Sequence, residues 1–241
     1  MEKYKRILLK LSGEALMGKE KTSKVLDKDV LFKIANQVKA LVEDKIEVCI
    51  VIGGGNIFRG KYCEELSIER SSGDYMGMVA TIFNSLAFKA SLDAIGVDNV
   101  VMSALNINQV CEPYYYLKAR RHLDKGRVVI FAAGTGNPYF STDTCAALRA
   151  SEMGADVILM AKNGVDGVYN KDPRKYDDAT MYDYVSYSEV INKNLEVIDL
   201  SAINLCKDNK INLIVFNMDK ENAIIDVANG VKIGTLIGEE K

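Results

Sequence analysis

The sequence predicts an α/β fold, with a mostly parallel sheet covered by helices on both faces. Three observations predict it. Short continuous apolar runs, such as Val48-Cys49-Ile50-Val51-Ile52 and Val157-Ile158-Leu159-Met160-Ala161, read as strands buried on both faces. Longer stretches between them carry apolar residues at helical spacing, so strands and helices alternate along the chain. Three of the apolar runs lead straight into glycine-bearing loops, the place where ligands collect in a parallel sheet.

In chain order, residues 7–11 form a short apolar strand that Ser12-Gly13 breaks, and residues 14–27 are polar and irregular. Val30, Ile34, Val38 and Leu41 recur at helical spacing and predict a helix over residues 29–44. A strand over 48–52 runs into Gly53-Gly54-Gly55, and residues 60–74 read as a charged loop. Met76, Val79, Ala80, Phe83, Leu86, Ala87 and Ala90 make a second helical stripe, read as core. Strands follow over 97–102 and 127–132, separated by an irregular stretch over 103–114 and a helix over 115–125. Beyond residue 140 come a helix to Met153 and a strand over 157–161. A turn-rich section around Asp172-Pro173 precedes helices over 188–193 and 201–209. A strand over 212–216, a helix over 221–229 and a strand over 234–237 close the chain.

With 241 residues, no internal repeat and no Pro-rich boundary, one domain spanning 1–241 is the simplest account. The formal net charge of −2 requires no broad basic surface, so nucleic acid is disfavoured as the main partner. Five cysteines without a C-x-x-C pair, and a single histidine, disfavour zinc. Scattered thiols fit a reducing, cytoplasmic setting. The opening residues lack the apolar core of a secretory leader, and no stretch approaches the roughly 18 apolar residues of a membrane span.

Lys10-Leu11-Ser12-Gly13, Gly53-Gly54-Gly55-Asn56 and Gly134-Thr135-Gly136-Asn137 each follow a strand. Together they suggest a site that takes several phosphates through backbone N–H groups. The third loop continues through Pro138, Tyr139 and Phe140 to Ser141, Thr142 and Asp143, residues able to cap a helix. A lysine at position 10, inside an apolar strand, is costly to bury unpaired. Two near-matches to the P-loop fail where Glu20 and Tyr62 stand in place of Ser or Thr, and no G-x-G-x-x-G follows a strand.

Lys10-Leu11-Ser12-Gly13-Glu14-Ala15-Leu16 resembles the opening motif of the amino-acid kinase superfamily. Gly53 to Gly60, Asp74-Tyr75-Met76-Gly77-Met78, Ala133 to Asp143, and Val165-Asp166-Gly167-Val168-Tyr169 with Asp172-Pro173 resemble its bacterial uridylate (UMP) kinase family. The resemblance runs in order over nearly the whole chain. It implies an αβα three-layer sandwich around about eight strands and transfer of the ATP γ-phosphoryl group to UMP. It also implies Mg2+ carried by the ATP phosphates with no metal site of its own, a homohexamer, activation by GTP and inhibition by UTP. One departure stands out: Lys19-Glu20-Lys21-Thr22-Ser23-Lys24 replaces a Gly-rich segment that the family links to GTP activation.

By the same resemblance Lys10, Leu11, Ser12, Gly13, Gly55, Arg59, Asn163, Tyr169 and Asp172 would bind ATP. Gly54, Asp74, Thr135, Gly136, Asn137, Pro138, Tyr139, Phe140, Ser141 and Thr142 would bind UMP. Lys10 and Asp143 would serve the chemistry, with Gly54 and Gly55 leaving room between the substrates. Plainer readings remain for several of these residues: a first-turn acid for Asp143, a helix N-cap for Asp74, a solvated arginine for Arg59, and a half-buried core residue for Tyr169. His122, beside Arg120 and Arg121, reads as solvated. A superfamily kinase acting on a carboxylate, or a non-catalytic nucleotide or oxyanion binder on the same fold, are the alternative functions.

Overall fold

The structure is a computed structural model and describes residues 3–18, 24–195 and 197–239. The segment Lys19-Glu20-Lys21-Thr22-Ser23 therefore lies outside the described residues. Among the described residues nine strands form one sheet: β1 (Arg6–Leu11), β2 (Glu47–Ile52), β3 (Asn99–Ser103), β4 (Glu112–Pro113), β5 (Val128–Ala132), β6 (Val157–Lys162), β7 (Tyr184–Ser186), β8 (Asn212–Asn217) and β9 (Thr235–Gly238). Their order is β4-β3-β5-β2-β1-β6-β8-β9-β7. Every pairing is parallel except β8 with β9. The two-residue β4 and the three-residue β7 were not legible as strands, being too short to show a period.

Among the described residues there are eight α-helices: α1 (Lys28–Glu43), α2 (Lys61–Glu65), α3 (Arg70–Ala94), α4 (Tyr116–Leu123), α5 (Thr142–Met153), α6 (Tyr187–Asn192), α7 (Leu200–Asp208) and α8 (Ala223–Ala228). Helices α1, α3 and α8 pack on one face of the sheet, and α4, α5, α6 and α7 pack on the other. Within β1 the pleat sends Ile7, Leu9 and Leu11 to the α1 side and Leu8 to the α5 side. Both faces are apolar, which is why the strands read as unbroken hydrophobic runs. Local chemistry sets the helix starts. Asp27 caps α1 by accepting from the N–H groups of Asp29 and Val30. Ser186 and Glu189 form a reciprocal capping box on α6.

Three sequence expectations are corrected. Residues 60–74 are not a loop, since α2 lies there and α3 begins at Arg70. The stripe of Met76, Val79 and Phe83 is not core; these residues are 43%, 55% and 52% exposed. The buried side of α3 carries Met78, Thr81, Ile82, Asn84, Ser85, Phe88 and Leu92, so the polar Thr81 and Asn84 face inward. His122 is buried rather than solvated, because Ala119, His122 and Leu123 share the face of α4 that packs on the sheet. Its Nε2 lies 3.1 Å from Glu112 Oε2.

Candidate active site

Strands β5, β2 and β1 are neighbours and parallel, so their carboxyl ends deliver the three glycine loops to one edge. Contact between the loops is close. A Cβ built on Gly13 would lie 2.7 Å from the Gly55 nitrogen and 2.8 Å from the Gly53 oxygen. Residue 13 must therefore be glycine for the first two loops to touch. Gly54 is explained differently from the expected clearance between two substrates. Its Cβ would meet Ala80 Cβ at 2.8 Å and the Gly77 oxygen at 2.9 Å, so the close approach is to α3. Asn84, fully buried on α3, braces this loop by donating to the Gly53 oxygen and to Asn56 Oδ1, both at 2.7 Å.

Lys10 lies on the α5 side of β1, two residues beyond Leu8. It is 7% exposed, and its Nζ stands 2.5 Å from Asp143 Oδ1 in the first turn of α5. The helix itself is capped by Ser141, whose Oγ accepts from the N–H of Thr144 at 3.1 Å. Asp143 is thus not needed as the cap, and its carboxylate is turned to the lysine. Among the described residues no protein group takes the N–H of Thr142 or Asp143, so the start of α5 can receive an anion.

Lys162, at the end of β6, went unnoticed in the sequence. It follows Ile158 and Met160 on the α5 side of the sheet, one strand from Lys10. Burial, then repulsion from Lys10, hold its pKa below the ordinary lysine value, with Asp143 and Asp199 opposing. Its one available signal was a lysine closing an apolar strand, as at Lys10.

A cleft of about 200 Å3 opens at the start of α5, with Ser141 and Thr142 in its wall. Gly54, Asp74, Thr135, Asn137, Phe140, Ser141 and Thr142 are among its walls, so most of the residues expected on the acceptor side meet there. Tyr139 does not line it: the side chain is 66% exposed, with its hydroxyl 3.2 Å from Ser71 Oγ. Pro138 and Gly136 shape the loop without lining the cleft, Gly136 at φ 81°. Asp74 is not the N-cap of α3; Glu69 holds that place. Its carboxylate pairs with Arg70 Nε at 3.1 Å and accepts from the Tyr139 N–H at 2.8 Å, which ties α3 to the loop.

On the other side of β1, Asn163 follows β6, and its Nδ2 donates to Asp219 Oδ1 at 3.2 Å. Tyr169 forms an isolated bridge with Met181, and Asp172 caps the turn before Arg174. Ser12 caps a single 3-10 turn at Gly13–Leu16. Leu11 is fully buried, so it has only backbone to offer. Arg59 is half-exposed, with Nη2 2.5 Å from Glu14 Oε1 and Nε donating to the Gly55 oxygen at 3.1 Å. The expected donor residues lie on or after β1, after β2 and after β6, and the expected acceptor residues lie after β2 and β5 and on α3. No group of three or more His, Cys, Asp or Glu able to hold a metal occurs among the described residues.

The mostly parallel sheet, with glycine loops at its carboxyl edge and a buried lysine paired with a carboxylate, is the setting in which residues 5–217 match the amino acid kinase family. The chain belongs to that family. Among solved structures it is similar to the UMP kinase from Bacillus anthracis, at 41% identity and a TM-score of 0.96 over 100% of this chain and 98% of that one. The UMP kinase from Ureaplasma parvum matches at 40% identity and a TM-score of 0.92, covering 99% and 100%. The uridylate kinase from Archaeoglobus fulgidus is 26% identical with a TM-score of 0.74, covering 96% and 99%.

Proposed function

We infer that this chain is a UMP kinase, which transfers the γ-phosphoryl group of ATP to UMP and releases UDP and ADP. The carrying observation is a cleft walled by the glycine loops after β2 and β5, with the loop after β1 packed against the first of them and Lys10 paired with Asp143, the neighbour of the wall residue Thr142. Full-length similarity to two bacterial UMP kinases supports the choice of acceptor.

Phosphoryl transfer asks a protein mainly for positioning and charge stabilisation. Lys10 would contact the transferring phosphoryl group, with Asp143 aiming its ammonium. Lys162 would add a second cation, and anionic phosphates arriving between the two lysines would relieve their repulsion. The start of α5 would take the UMP phosphate through the N–H groups of Thr142 and Asp143. Asp74 would accept from the ribose hydroxyls, and Thr135, Asn137 and Phe140 would frame the base. Gly136, Pro138 and Tyr139 would hold the arch that carries them. Ser12, Gly13, Gly55 and Arg59 would hold the ATP phosphates, and Asn163, Tyr169 and Asp172 its nucleoside. No general base is required, because a phosphate monoester, with a second pKa near 6, is largely dianionic at pH 7.

Magnesium fits as a substrate-borne ion. Asp143 is paired with Lys10, and the metal would be carried by the ATP phosphates, through which magnesium usually binds. Bound to the ATP phosphates, it would neutralise part of their charge. One domain over residues 1–241 is consistent with the single sheet. A homohexamer is supported by the exposed apolar stripe of Met76, Val79 and Phe83 on α3, and a cytoplasmic location by five free cysteines. Inhibition by UTP completes the proposal; activation by GTP, which the family links to the segment replaced here by Lys19-Glu20-Lys21-Thr22-Ser23-Lys24, is decided by the GTP arm of the assay.

The test is ADP release with UMP, CMP, glutamate or aspartate as acceptor, with and without GTP or UTP. UMP should give the fastest turnover by a wide margin. If UMP yields no more ADP than a blank without acceptor, the function is wrong.

A further inference from the structure

The loop between β5 and α5 leaves the sheet through two successive left-handed residues, Ala133 at φ 62° and Gly134 at φ 57°. A left-handed alanine is strained and persists only where its surroundings fix it. One restraint comes from α3, where Thr81 Oγ1 accepts from the Ala133 N–H at 2.8 Å. A second comes from the opposite side. Arg149, in the middle of α5, donates from Nη2 to the Gly134 oxygen at 3.3 Å.

Arg149 is buried, with its side chain only 5% exposed. A guanidinium in such a place is costly unless its charge and donors are met. Its Nη1 donates to Glu152 Oε2 at 2.7 Å. Its Cζ lies 3.7 Å from the centroid of the Tyr114 ring, and the Tyr114 hydroxyl donates to the same Glu152 oxygen at 2.6 Å. Tyr114 is itself anchored, its N–H on the Ser103 oxygen and its ring edge-on to Phe131 of β5. The guanidinium is therefore held in one pose by a carboxylate and an aromatic face; Nη2 reaches the loop, and the buried Nε has no hydrogen-bond partner among the described residues. Such a fork suits arginine and not lysine.

We propose that Arg149 is a positioning residue for the phosphoryl acceptor: by gripping the Gly134 carbonyl from behind, it sets the arch over residues 135–142 and hence the affinity for UMP. Its contacts run to Glu152, Gly134, Tyr114 and Phe131, none of them a residue assigned to ATP. The proposal rests on the reading of this loop as the acceptor cradle. A residue that served only to hold the fold together would not discriminate between the two substrates.

Steady-state kinetics on Arg149→Met, Arg149→Lys and, as a control on the loop, Thr135→Ala separate these cases. Arg149→Met should raise KM for UMP about tenfold and leave KM for ATP within about twofold, since small misplacements of a positioning group are costly. Arg149→Lys, which keeps the charge but not the fork, should fall between. Equal rises in both KM values, or an unchanged KM for UMP in a folded Arg149→Met protein, would overturn the proposal. If that variant does not fold, Tyr114→Phe carries the test, because it keeps the ring and removes only the hydroxyl contact to Glu152. A KM for UMP raised about threefold at constant KM for ATP supports the role, and no change overturns it. Should Thr135→Ala also leave KM for UMP unchanged, the acceptor-loop reading has failed; a raised value there with an unchanged one in Arg149→Met removes the role of Arg149 alone.

Discussion

Lys10 and Asp143 meet because two periodicities coincide. The two-residue repeat of β1 turns Lys10 to the α5 side, and Ser141, by capping α5, frees the second residue of the helix to face the sheet. Sequence reading left Asp143 between an organiser of Lys10 and a first-turn acid. The 2.5 Å contact to Lys10, with the cap supplied by Ser141, favours the organiser. Asp143→Asn keeps the cap and the side-chain shape but removes the charge that balances Lys10 and Lys162. Its kcat should fall at least about tenfold, as expected for a misaimed catalytic group, while the circular dichroism spectrum stays unchanged. A kcat equal to that of the unaltered protein would return Asp143 to the role of a helix-starting acid. Lys162 shows the limit of reading single residues. Its place at the end of an apolar strand was the one signal in the sequence, and only the packing of β6 beside β1 gives it a neighbour of like charge.

At the scale of elements, α3 does the most unexpected work. The apolar residues Met76, Val79 and Phe83 suggested a buried stripe, yet they face outward, and the buried side carries Thr81 and Asn84. The buried polar residues have specific tasks. Asn84 holds the glycine loop after β2, and Thr81 receives the N–H of the left-handed Ala133 after β5. One helix thereby sets the spacing between the loop shared with ATP and the loop assigned to UMP. Thr81→Val is nearly isosteric but leaves the buried Ala133 N–H without its acceptor, a loss of about 1–3 kcal/mol. For a chain of this size that should lower the melting temperature by several degrees. A melting curve unchanged from the parent would mean that the contact adds nothing to stability. Periodicity alone could not have placed this helix, because either of its two faces satisfies the apolar spacing.

At the scale of the whole molecule, the outward stripe of α3 bears on assembly. Tyr75, Met76, Val79 and Phe83 recur at helical spacing and are each more than two-fifths exposed, an unusual concentration for a surface left to water. Paired Met76→Glu and Phe83→Glu changes place two charges in that stripe. They should reduce the mass measured by sedimentation or light scattering from that of a hexamer to a smaller species. An unaltered mass would show that this face is not where subunits join. Much of the large-scale organisation was already legible: β1, β2, β5, β6, β8 and β9, with α1, α4, α5 and α7, occur within a few residues of their expected positions. The strand order was not, because parallel neighbours are chosen by contacts distant in sequence.

By itself the sequence determined the fold class, the family and the inventory of chemistry: apolar runs fix buried strands, and the motifs around Lys10, Gly53 and Gly134 fix the kind of ligand. Those properties reside in local pattern and residue type. The tertiary structure decided which groups face one another. It paired Lys10 with Asp143, set Lys162 beside them, turned the apolar stripe of α3 outward and placed the buried Arg149 behind the loop at Gly134. Each of these depends on which strand lies beside which and on which helix face meets the sheet, and local spacing carries neither.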